Sequence, residues 1–264
     1  MRICVQDLPA VCSFRSAKIA CALLVVLGTA SGCATQNAFG HLSNDEKAST
    51  FNAELGTSYL MAGELEPAEL KLDRALEQDP DNALANNSYA KLRATLDDPA
   101  GAERAFVKSI RNDPKRAEYR NNYAIFLCDQ GRTDDAIAQF VAASENKFYR
   151  TPEFALDNAG VCALDADRHA LADQYLRSAI RLNPRFAPSM LNMAELKLDT
   201  DDVALADAYY TRYLTLASQN AHSLAVGIKV KQALGEESEA QEFARQLVAN
   251  YPTSNQAKTF LASN

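Results

Sequence analysis

Six cysteines and three histidines are the residues of this 264-residue chain best suited to covalent or metal chemistry. The histidines, His41, His169 and His222, are widely spaced, and no two of them have the separation of a metal site or a proton relay. The cysteines are Cys4, Cys12, Cys21, Cys33, Cys128 and Cys162. A thiol can be acylated, oxidised to a disulfide or bound to a metal, so the positions of the cysteines decide which chemistry is expected.

The first four cysteines belong to a segment with the features of an export signal. Arg15 and Lys18 precede an apolar run over residues 19–27, and small residues then lead to Cys33. The run is shorter than the roughly 20 apolar residues that a membrane-spanning helix needs. Residues 1–32 are therefore predicted to be a signal that is removed from the mature protein.

The sequence Ala30-Ser31-Gly32-Cys33 resembles the lipobox of bacterial lipoproteins. This resemblance implies that Cys33 is acylated and becomes the mature N-terminus; an ordinary signal peptide cut nearby is the alternative. Ala34 follows the cysteine, where aspartate marks inner-membrane retention in enterobacterial lipoproteins. The implied location is the outer membrane, with the protein lipid-anchored and facing the periplasm.

The charge of the mature chain argues against nucleic acid as a partner. The whole chain has a net charge of −7, and loss of Arg2, Asp7, Arg15 and Lys18 with residues 1–32 leaves −9. Nucleic-acid binding needs a basic stripe that displaces counterions from phosphates. We expect no nucleic-acid partner and no cofactor.

The rest of the chain is organised by alanines that recur at intervals of 34, 34, 36, 34 and 34 residues. They are Ala68, Ala102, Ala136, Ala172, Ala206 and Ala240. If each alanine is residue 20 of a 34-residue frame, residue 15 is always Gly or Asp, at Gly63, Asp97, Gly131, Asp167, Asp201 and Gly235. These residue types tolerate the left-handed conformation that ends a helix. The spacing therefore predicts six copies of one helix-turn-helix unit.

This pattern resembles the tetratricopeptide repeat, which implies an all-α, right-handed solenoid of six helix-turn-helix repeats. The expected domains are a signal peptide at 1–32, a lipidated N-terminus and polar tether at 33–48, the repeats at 49–254 and a C-terminal tail at 255–264. Two extra residues near Thr151-Pro152 predict a local bend between repeats 3 and 4. A helical bundle with chance spacing is the alternative, and it would have to keep all six alanines and turns in register by accident.

The frame places Cys128 and Cys162 at similar heights on the first helices of repeats 3 and 4. A disulfide between them is geometrically plausible and would persist in an oxidising periplasm. Two buried free thiols that pack as small apolar groups are the alternative. A metal site lacks a third ligand near the pair.

A solenoid of this kind offers a groove lined by residues 2, 5, 9 and 12 of each frame, on the first helices. Apolar side chains in such a groove favour a protein or peptide ligand. Residue 6 is asparagine in repeats 3 to 5, and an asparagine amide can hold an extended peptide or brace adjacent helices. The predicted partner-binding set is Asn122, Ile125, Phe154, Asn158, Val161, Leu191 and Asn192. About half of the groove side chains are expected to pack between helices instead.

Repeats 3 to 5 carry a more specific resemblance. The motifs are Asn121-Asn122-Tyr123-Ala124-Ile125-Phe126-Leu127-Cys128-Asp129-Gln130-Gly131, Phe148-Tyr149-Arg150-Thr151-Pro152-Glu153, Asp157-Asn158-Ala159-Gly160-Val161-Cys162-Ala163 and Tyr209-Tyr210-Thr211-Arg212-Tyr213-Leu214. They are similar to those of the PilF/PilW family of type IV pilus lipoproteins. The resemblance implies a pilotin, a lipoprotein that brings secretin subunits to the outer membrane and supports their assembly into a multimeric pore.

Two other functional classes remain as alternatives. A general periplasmic scaffold for another envelope complex would also need repeats and a lipid anchor. A repeat-bearing enzyme would need a catalytic constellation, and the sequence has no nucleophile elbow, phosphate-binding loop or metal-ligand spacing. We therefore expect a monomeric, non-catalytic protein.

Overall fold

A computed structural model describes residues 43–262, which form thirteen α-helices and no strand. The helices are α1 (Asn44–Met61), α2 (Leu65–Gln78), α3 (Ala83–Thr95), α4 (Pro99–Asn112), α5 (Ala117–Asp129), α6 (Thr133–Ser144), α7 (Pro152–Asp165), α8 (His169–Leu182), α9 (Ala187–Asp199), α10 (Val203–Leu216), α11 (Ala221–Ala233), α12 (Glu237–Asn250) and α13 (Asn255–Ala262). The signal peptide, Cys33 and the tether up to residue 42 lie outside the described residues. Within residues 43–262, no helix is long and apolar enough to cross a membrane.

The helices α1 to α12 pair into six helix-turn-helix repeats, as the alanine spacing predicts. Within each repeat a three-residue turn joins the first helix to the second, and its central residue has a positive φ. The six central residues are Gly63, Asp97, Gly131, Asp167, Asp201 and Gly235, with φ between 56° and 78°. These are the residues that the repeat frame assigns to the turns, so that prediction is confirmed. The prolines Pro80, Pro114, Pro184 and Pro252 likewise follow the ends of second helices.

Close packing inside each repeat explains why small and large side chains alternate in the frame. All six periodic alanines are buried, and Leu72, Phe106, Phe140, Leu176 and Tyr210, at residue 24 of their frames, fill the space between helices. Gly56 and Gly160 lie against this layer. A Cβ atom at Gly56 would come within 2.7 Å of Leu72 Cγ, and one at Gly160 within 2.6 Å of Leu176 Cγ. The first helix can therefore approach its partner closely only because these positions lack a side chain.

Both ends of the solenoid differ from the predicted boundaries. The first helix begins at Asn44 rather than at residue 49, because Ser43 and Glu46 form a capping box that starts the helix five residues early. Residues 255–262, predicted to be a tail, form α13. Its Ala257 is buried in an apolar cluster with Leu224 and Leu247, so α13 covers the end of the stack.

The connection between repeats 3 and 4 is longer than the other connections between repeats. It comprises residues 145–151, whereas the connection between α2 and α3 comprises residues 79–82. The segment is tied down, because Tyr149 is buried and Asn146 Nδ2 donates a hydrogen bond of 3.0 Å to the carbonyl of Lys115. The insertion is taken up in this connection, and α6 is shortened to 12 residues, whereas the other second helices have 14.

Candidate protein-binding surface

The first helices α1, α3, α5, α7, α9 and α11 pack side by side, each against the next. Residues 2, 5, 9 and 12 of each frame form one face across these helices, which we call the groove face. Its residue types change along the stack. Repeat 2 presents Lys91, repeat 3 presents Ile125 and repeat 5 presents Glu195, all at residue 9.

The structure corrects part of the predicted partner-binding set. Val161 and Leu191 are only 2% and 5% exposed, and Asn158 and Asn192 are also buried. The expectation that Val161 and Leu191 present apolar surface to a partner is therefore wrong for this conformation. Leu191 packs instead in an apolar cluster with Met190 and Ala194.

The members of the set that keep some exposure are Asn122, Ile125 and Phe154. Ile125 packs partly against the core of repeats 2 to 4. Phe154 makes an edge-to-face contact with Phe186, with ring centroids 4.5 Å apart. The usable part of the predicted surface is thus confined to repeats 3 and 4.

The asparagines at residue 6 of repeats 3 to 5 connect neighbouring repeats. Each one donates a hydrogen bond from Nδ2 to the residue at position 5 of the preceding repeat. The pairs are Asn122 to Asn87 Oδ1 at 3.2 Å, Asn158 to Asn121 Oδ1 at 3.2 Å and Asn192 to Asp157 Oδ1 at 3.0 Å. For Asn158 and Asn192 the expected ligand-binding role is corrected, because these buried amides brace adjacent first helices.

We call these hydrogen bonds between neighbouring first helices the asparagine ladder. Asp157 is its one charged residue, and its side chain is fully buried. Its Oδ1 accepts a hydrogen bond of 2.6 Å from Ser189 Oγ as well as the one from Asn192. A buried carboxylate is costly unless donors surround it, and charge-assisted hydrogen bonds are the strong ones. Asp157 therefore fixes α9 against α7 and is not available to a ligand.

Cys128 and Cys162 are joined by a disulfide between α5 and α7, with their Cα atoms 5.8 Å apart. Cys162 is buried, whereas Cys128 is partly exposed on the groove face. The bond crosses the pair of repeats that the longer connection joins. The disulfide fixes α5 against α7, so these two first helices stay in contact despite the longer connection between their repeats.

Lys91 places a positive charge on the groove face of repeat 2. Its side chain is partly buried, and burial lowers the pKa of its ammonium group. The cause is the loss of hydration, which disfavours the charged form. A carboxylate that approached this lysine would restore favourable interactions for the charged ammonium.

A cavity of about 530 Å³ lies at the C-terminal end of the groove face, between α9, α11 and α13. Glu195 from α9 and His222 from α11 both line it, and Glu195 Oε2 is 3.2 Å from His222 Nε2. The repeat frame places Glu195 at residue 9 of repeat 5 and His222 at residue 2 of repeat 6, both on the groove face, but it does not predict that the two side chains meet. The cavity itself was not predicted, because α13 forms one of its walls.

Repeat 1 has an exposed apolar group that the sequence analysis also did not identify. Phe51, Met61 and Leu70 are 65%, 61% and 66% exposed. Their frame positions carry no recurring pattern, so periodicity does not distinguish them from buried residues. Single exposed apolar side chains are common on protein surfaces.

Among the described residues, no group of three or more His, Cys, Asp or Glu side chains could hold a metal ion.

Comparisons with known proteins extend this description. Two family profiles described as tetratricopeptide repeat match residues 53–111 and 105–138. The type IV pilus assembly protein PilF of Pseudomonas aeruginosa is 30% identical over 235 residues, which cover 88% of this chain and 93% of PilF.

Solved structures give the same relationship. The Pseudomonas aeruginosa PilF structure has a TM-score of 0.68 and 29% identity, and the match covers 84% of this chain and all of that one. The structure of PilW, a widely conserved type IV pilus biogenesis factor, has a TM-score of 0.70 and 30% identity, with 81% of this chain and 98% of PilW covered. These similarities extend well beyond a single repeat.

Proposed function

This chain belongs to the PilF/PilW family of tetratricopeptide-repeat proteins, and from that membership we propose that it is a pilotin of type IV pilus biogenesis. It is a non-catalytic lipoprotein that supports the localisation of the outer-membrane secretin and its assembly into multimers. The observation that carries the proposal is the similarity to PilF over 88% of this chain and 93% of that protein. A match through the generic repeat alone would not extend through nearly the whole of both chains.

The proposed anchor is a lipid on Cys33, on the periplasmic face of the outer membrane. Ten residues, 34–43, separate this cysteine from α1. A chain of that length spans at most about 36 Å when fully extended. Lipidation would therefore keep repeat 1 within a few nanometres of the bilayer that the secretin must enter.

The proposed task follows from the physical problem that a secretin subunit presents. Unpaired strand edges are templates for aggregation until they pair in the final assembly. A scaffold that binds a segment of each subunit at the membrane would concentrate the subunits there and limit wrong pairings. Repeats supply the binding surface and acyl chains supply the location.

We assign the secretin-binding surface to the partly exposed part of the groove face, at Lys91, Asn122, Ile125 and Phe154. Ile125 and Phe154 offer apolar contact area, and Asn122 has an amide able to bond a peptide backbone. The partly dehydrated ammonium of Lys91 favours an acidic group in the bound segment. This assignment replaces Val161, Leu191, Asn158 and Asn192, which are buried.

The test is recovery of the secretin from envelope extracts with the purified mature protein. Wild-type protein should retain the secretin, and Ile125→Lys should reduce its recovery about tenfold, the equivalent of one well-packed contact. Val107→Lys is the matched control, because Val107 is an exposed valine on the second helix α4. That variant should bind like wild type.

Phe51→Lys separates the surface assignment from the function. If Ile125→Lys binds normally and Phe51→Lys does not, the binding surface is on repeat 1 and the groove assignment is wrong, although the pilotin role stands. If wild-type protein retains no secretin but retains another envelope complex, the general scaffold is the correct function.

A further inference from the structure

The connections between repeats lie along one edge of the solenoid, which we call the connection edge. The first helix of each repeat begins there and the second helix ends there, so the turns within repeats lie at the opposite edge. The connections at residues 113–116 and 145–151 each contain two basic residues and one acidic residue, and residues 183–186 contain one basic residue and no acidic one. These three connections are therefore basic in a chain whose net charge is −7.

An exposed aromatic ring lies among these basic residues. Phe148, in the connection between repeats 3 and 4, is 58% exposed. Lys147 Nζ is 5.1 Å and Lys115 Nζ is 6.0 Å from the centroid of its ring, the range of cation–π interactions. Arg150, in the same connection, is exposed as well. The connection edge therefore presents an apolar ring and several cations together.

The backbone that carries Phe148 is fixed to the body of the solenoid. Tyr149, the next residue, is buried. Asn146 Nδ2 donates a hydrogen bond of 3.0 Å to the carbonyl of Lys115, and Asn146 Oδ1 accepts one of 2.9 Å from the backbone N–H of Phe148. The exposure of the Phe148 ring is therefore a consequence of the fold.

Acidic residues at the same connections lower the positive charge without cancelling it. Asp113 lies 3.8 Å from Arg116, Glu118 and Glu145 are exposed, and Glu153 is partly buried. Against these four acids stand Arg116 and five further exposed cations. The five cations and the ring form what we call the basic-aromatic patch, which consists of Lys115, Lys147, Phe148, Arg150, Arg181 and Arg185.

We propose that the basic-aromatic patch is a membrane-contact surface that binds an anionic phospholipid bilayer. The phosphates of lipid headgroups accept charge-assisted hydrogen bonds from the Lys and Arg side chains. The ring of Phe148 enters the boundary between headgroups and acyl chains, where aromatic side chains are favoured.

The position of the patch relative to the proposed anchor favours a bilayer over an acidic protein segment. Helix α1 also begins at the connection edge, so the chain leading to Cys33 joins the solenoid at the edge that carries the patch. Neighbouring packed helices are about 8–10 Å apart, which places Phe148 roughly 20–30 Å from the start of α1. Residues 34–43 span at most about 36 Å.

A lipid on Cys33 and the ring of Phe148 can therefore contact the same bilayer. This inference rests on the proposed function in that one respect, which is that the protein is held at a membrane. It adds a second contact with the bilayer, which would restrict how the solenoid is oriented above the lipid.

The experiment uses a single fluorescent residue. The chain has no tryptophan, so Phe148→Trp introduces one indole whose emission reports its surroundings. The mature variant is coupled through the Cys33 thiol to a maleimide lipid in vesicles, since Cys128 and Cys162 are held in their disulfide. Vesicles of phosphatidylcholine and phosphatidylglycerol should shift the emission to the blue, and brominated acyl chains should quench it. Pure phosphatidylcholine vesicles should reduce membrane contact at least about fivefold.

Leu96→Trp is the matched control for position. Leu96 is 41% exposed and lies in the turn of repeat 2, at the edge opposite the patch. Its emission should be the same with both kinds of vesicle. Equal responses of the two indoles, or no response of the Phe148→Trp variant to phosphatidylglycerol, would overturn the proposal.

Charge variants test the cations of the patch. Lys147→Gln and Arg150→Gln, each combined with Phe148→Trp, should each lower membrane contact about fivefold, because every cation near an anionic surface adds a similar share of the binding. Arg104→Gln, at an exposed position on α4, should leave membrane contact unchanged. Equal effects of all three substitutions would contradict the proposed contact.

Poly-L-glutamate in solution distinguishes the other class of partner. If it shifts the emission of the Phe148→Trp variant and anionic vesicles do not, the patch binds an acidic protein segment and the membrane proposal is wrong. The vesicles contain no secretin and the anchor is supplied chemically. Failure of this proposal is therefore distinct from failure of the pilotin proposal.

Discussion

At the scale of single residues, position 6 of the repeat shows how an apparent binding residue becomes a structural one. An asparagine facing the groove has the chemistry to hold a peptide. Asn158 and Asn192 are instead buried, and they donate hydrogen bonds to Asn121 and Asp157 of the preceding repeat. Periodicity predicts the helix face correctly but does not give the distance between neighbouring first helices, and that distance decides whether the amide meets a ligand or a neighbour.

Because Asp157 accepts hydrogen bonds in the asparagine ladder, the stability of the protein should depend strongly on this residue. We expect Asp157→Ala to lower the free energy of unfolding by about 3 kcal/mol, because the buried donors of Ser189 and Asn192 each lose their acceptor. Urea denaturation followed by circular dichroism measures the loss. Asp134→Ala is the control, since Asp134 is 86% exposed and pairs with Arg168 at the surface; it should have little effect. Equal effects of the two substitutions would contradict the role of the ladder.

The disulfide between Cys128 and Cys162 is a second pair of residues with a large expected effect on stability. Its two cysteines are 34 residues apart, and closing a loop of that length stabilises a protein by about 3–4 kcal/mol in the chain-entropy model. Replacing both cysteines with serine should therefore lower the thermal midpoint by roughly 6–16 °C. Differential scanning calorimetry under non-reducing conditions measures this shift. Two alkylatable thiols in protein isolated from the periplasm, together with an unchanged midpoint, would show that the bond is absent in the cell.

At the scale of helices and turns, the sequence is most informative where backbone conformation restricts the residue type. All six turn centres could be assigned from the spacing of Gly and Asp, because a positive φ is unfavourable for most side chains. The buried alanines and the layer at residue 24 could be assigned for a similar reason, since close packing restricts their volume.

The turns also provide a test of that reasoning. Gly131 has φ of +71°, and a Cβ atom there would meet nothing within 4 Å. Gly131→Ala should therefore cost about 1 kcal/mol from backbone conformation alone. Asp201→Gly, at φ of +59°, should be neutral or slightly stabilising. Chemical denaturation of both variants makes the comparison, and a destabilised Asp201→Gly with an unaffected Gly131→Ala would contradict it.

The ends of the solenoid could not be predicted in the same way. The early start of α1 depends on the Ser43 and Glu46 capping box, which lies outside the repeat pattern. The eight residues of α13 are too few for a clear helical period, and its only buried residue is Ala257. Since α13 forms a wall of the cavity, the cavity could not be predicted either.

At the scale of the whole molecule, the solenoid presents a partly apolar surface with Lys91 toward one end and a cavity with Glu195 at the other. Neighbour-only packing lets each repeat keep its own surface. In the proposed function these features act together, because a lipid at Cys33 would bring the surface to the secretin at the outer membrane.

Acylation of Cys33 is the prediction that belongs to this scale. Cells fed a radioactive or clickable fatty acid should label the wild-type protein, and the label should fractionate with the outer membrane. Cys33→Ser should abolish labelling and leave the protein soluble or unprocessed, because no other cysteine comes directly after the export run and its small residues. Unlabelled wild-type protein, or label in the inner membrane, would contradict the predicted anchor.

The most direct test of the pilotin role is the state of the secretin in cells that lack this protein. Envelope fractions of a deletion strain are resolved without full denaturation, and secretin monomers and multimers are compared by immunoblot. We expect multimers to be lost or strongly reduced in the deletion strain, restored by the wild-type gene and not restored to wild-type levels by the Cys33→Ser gene. Unchanged secretin multimers and unchanged piliation in the deletion strain would contradict the account.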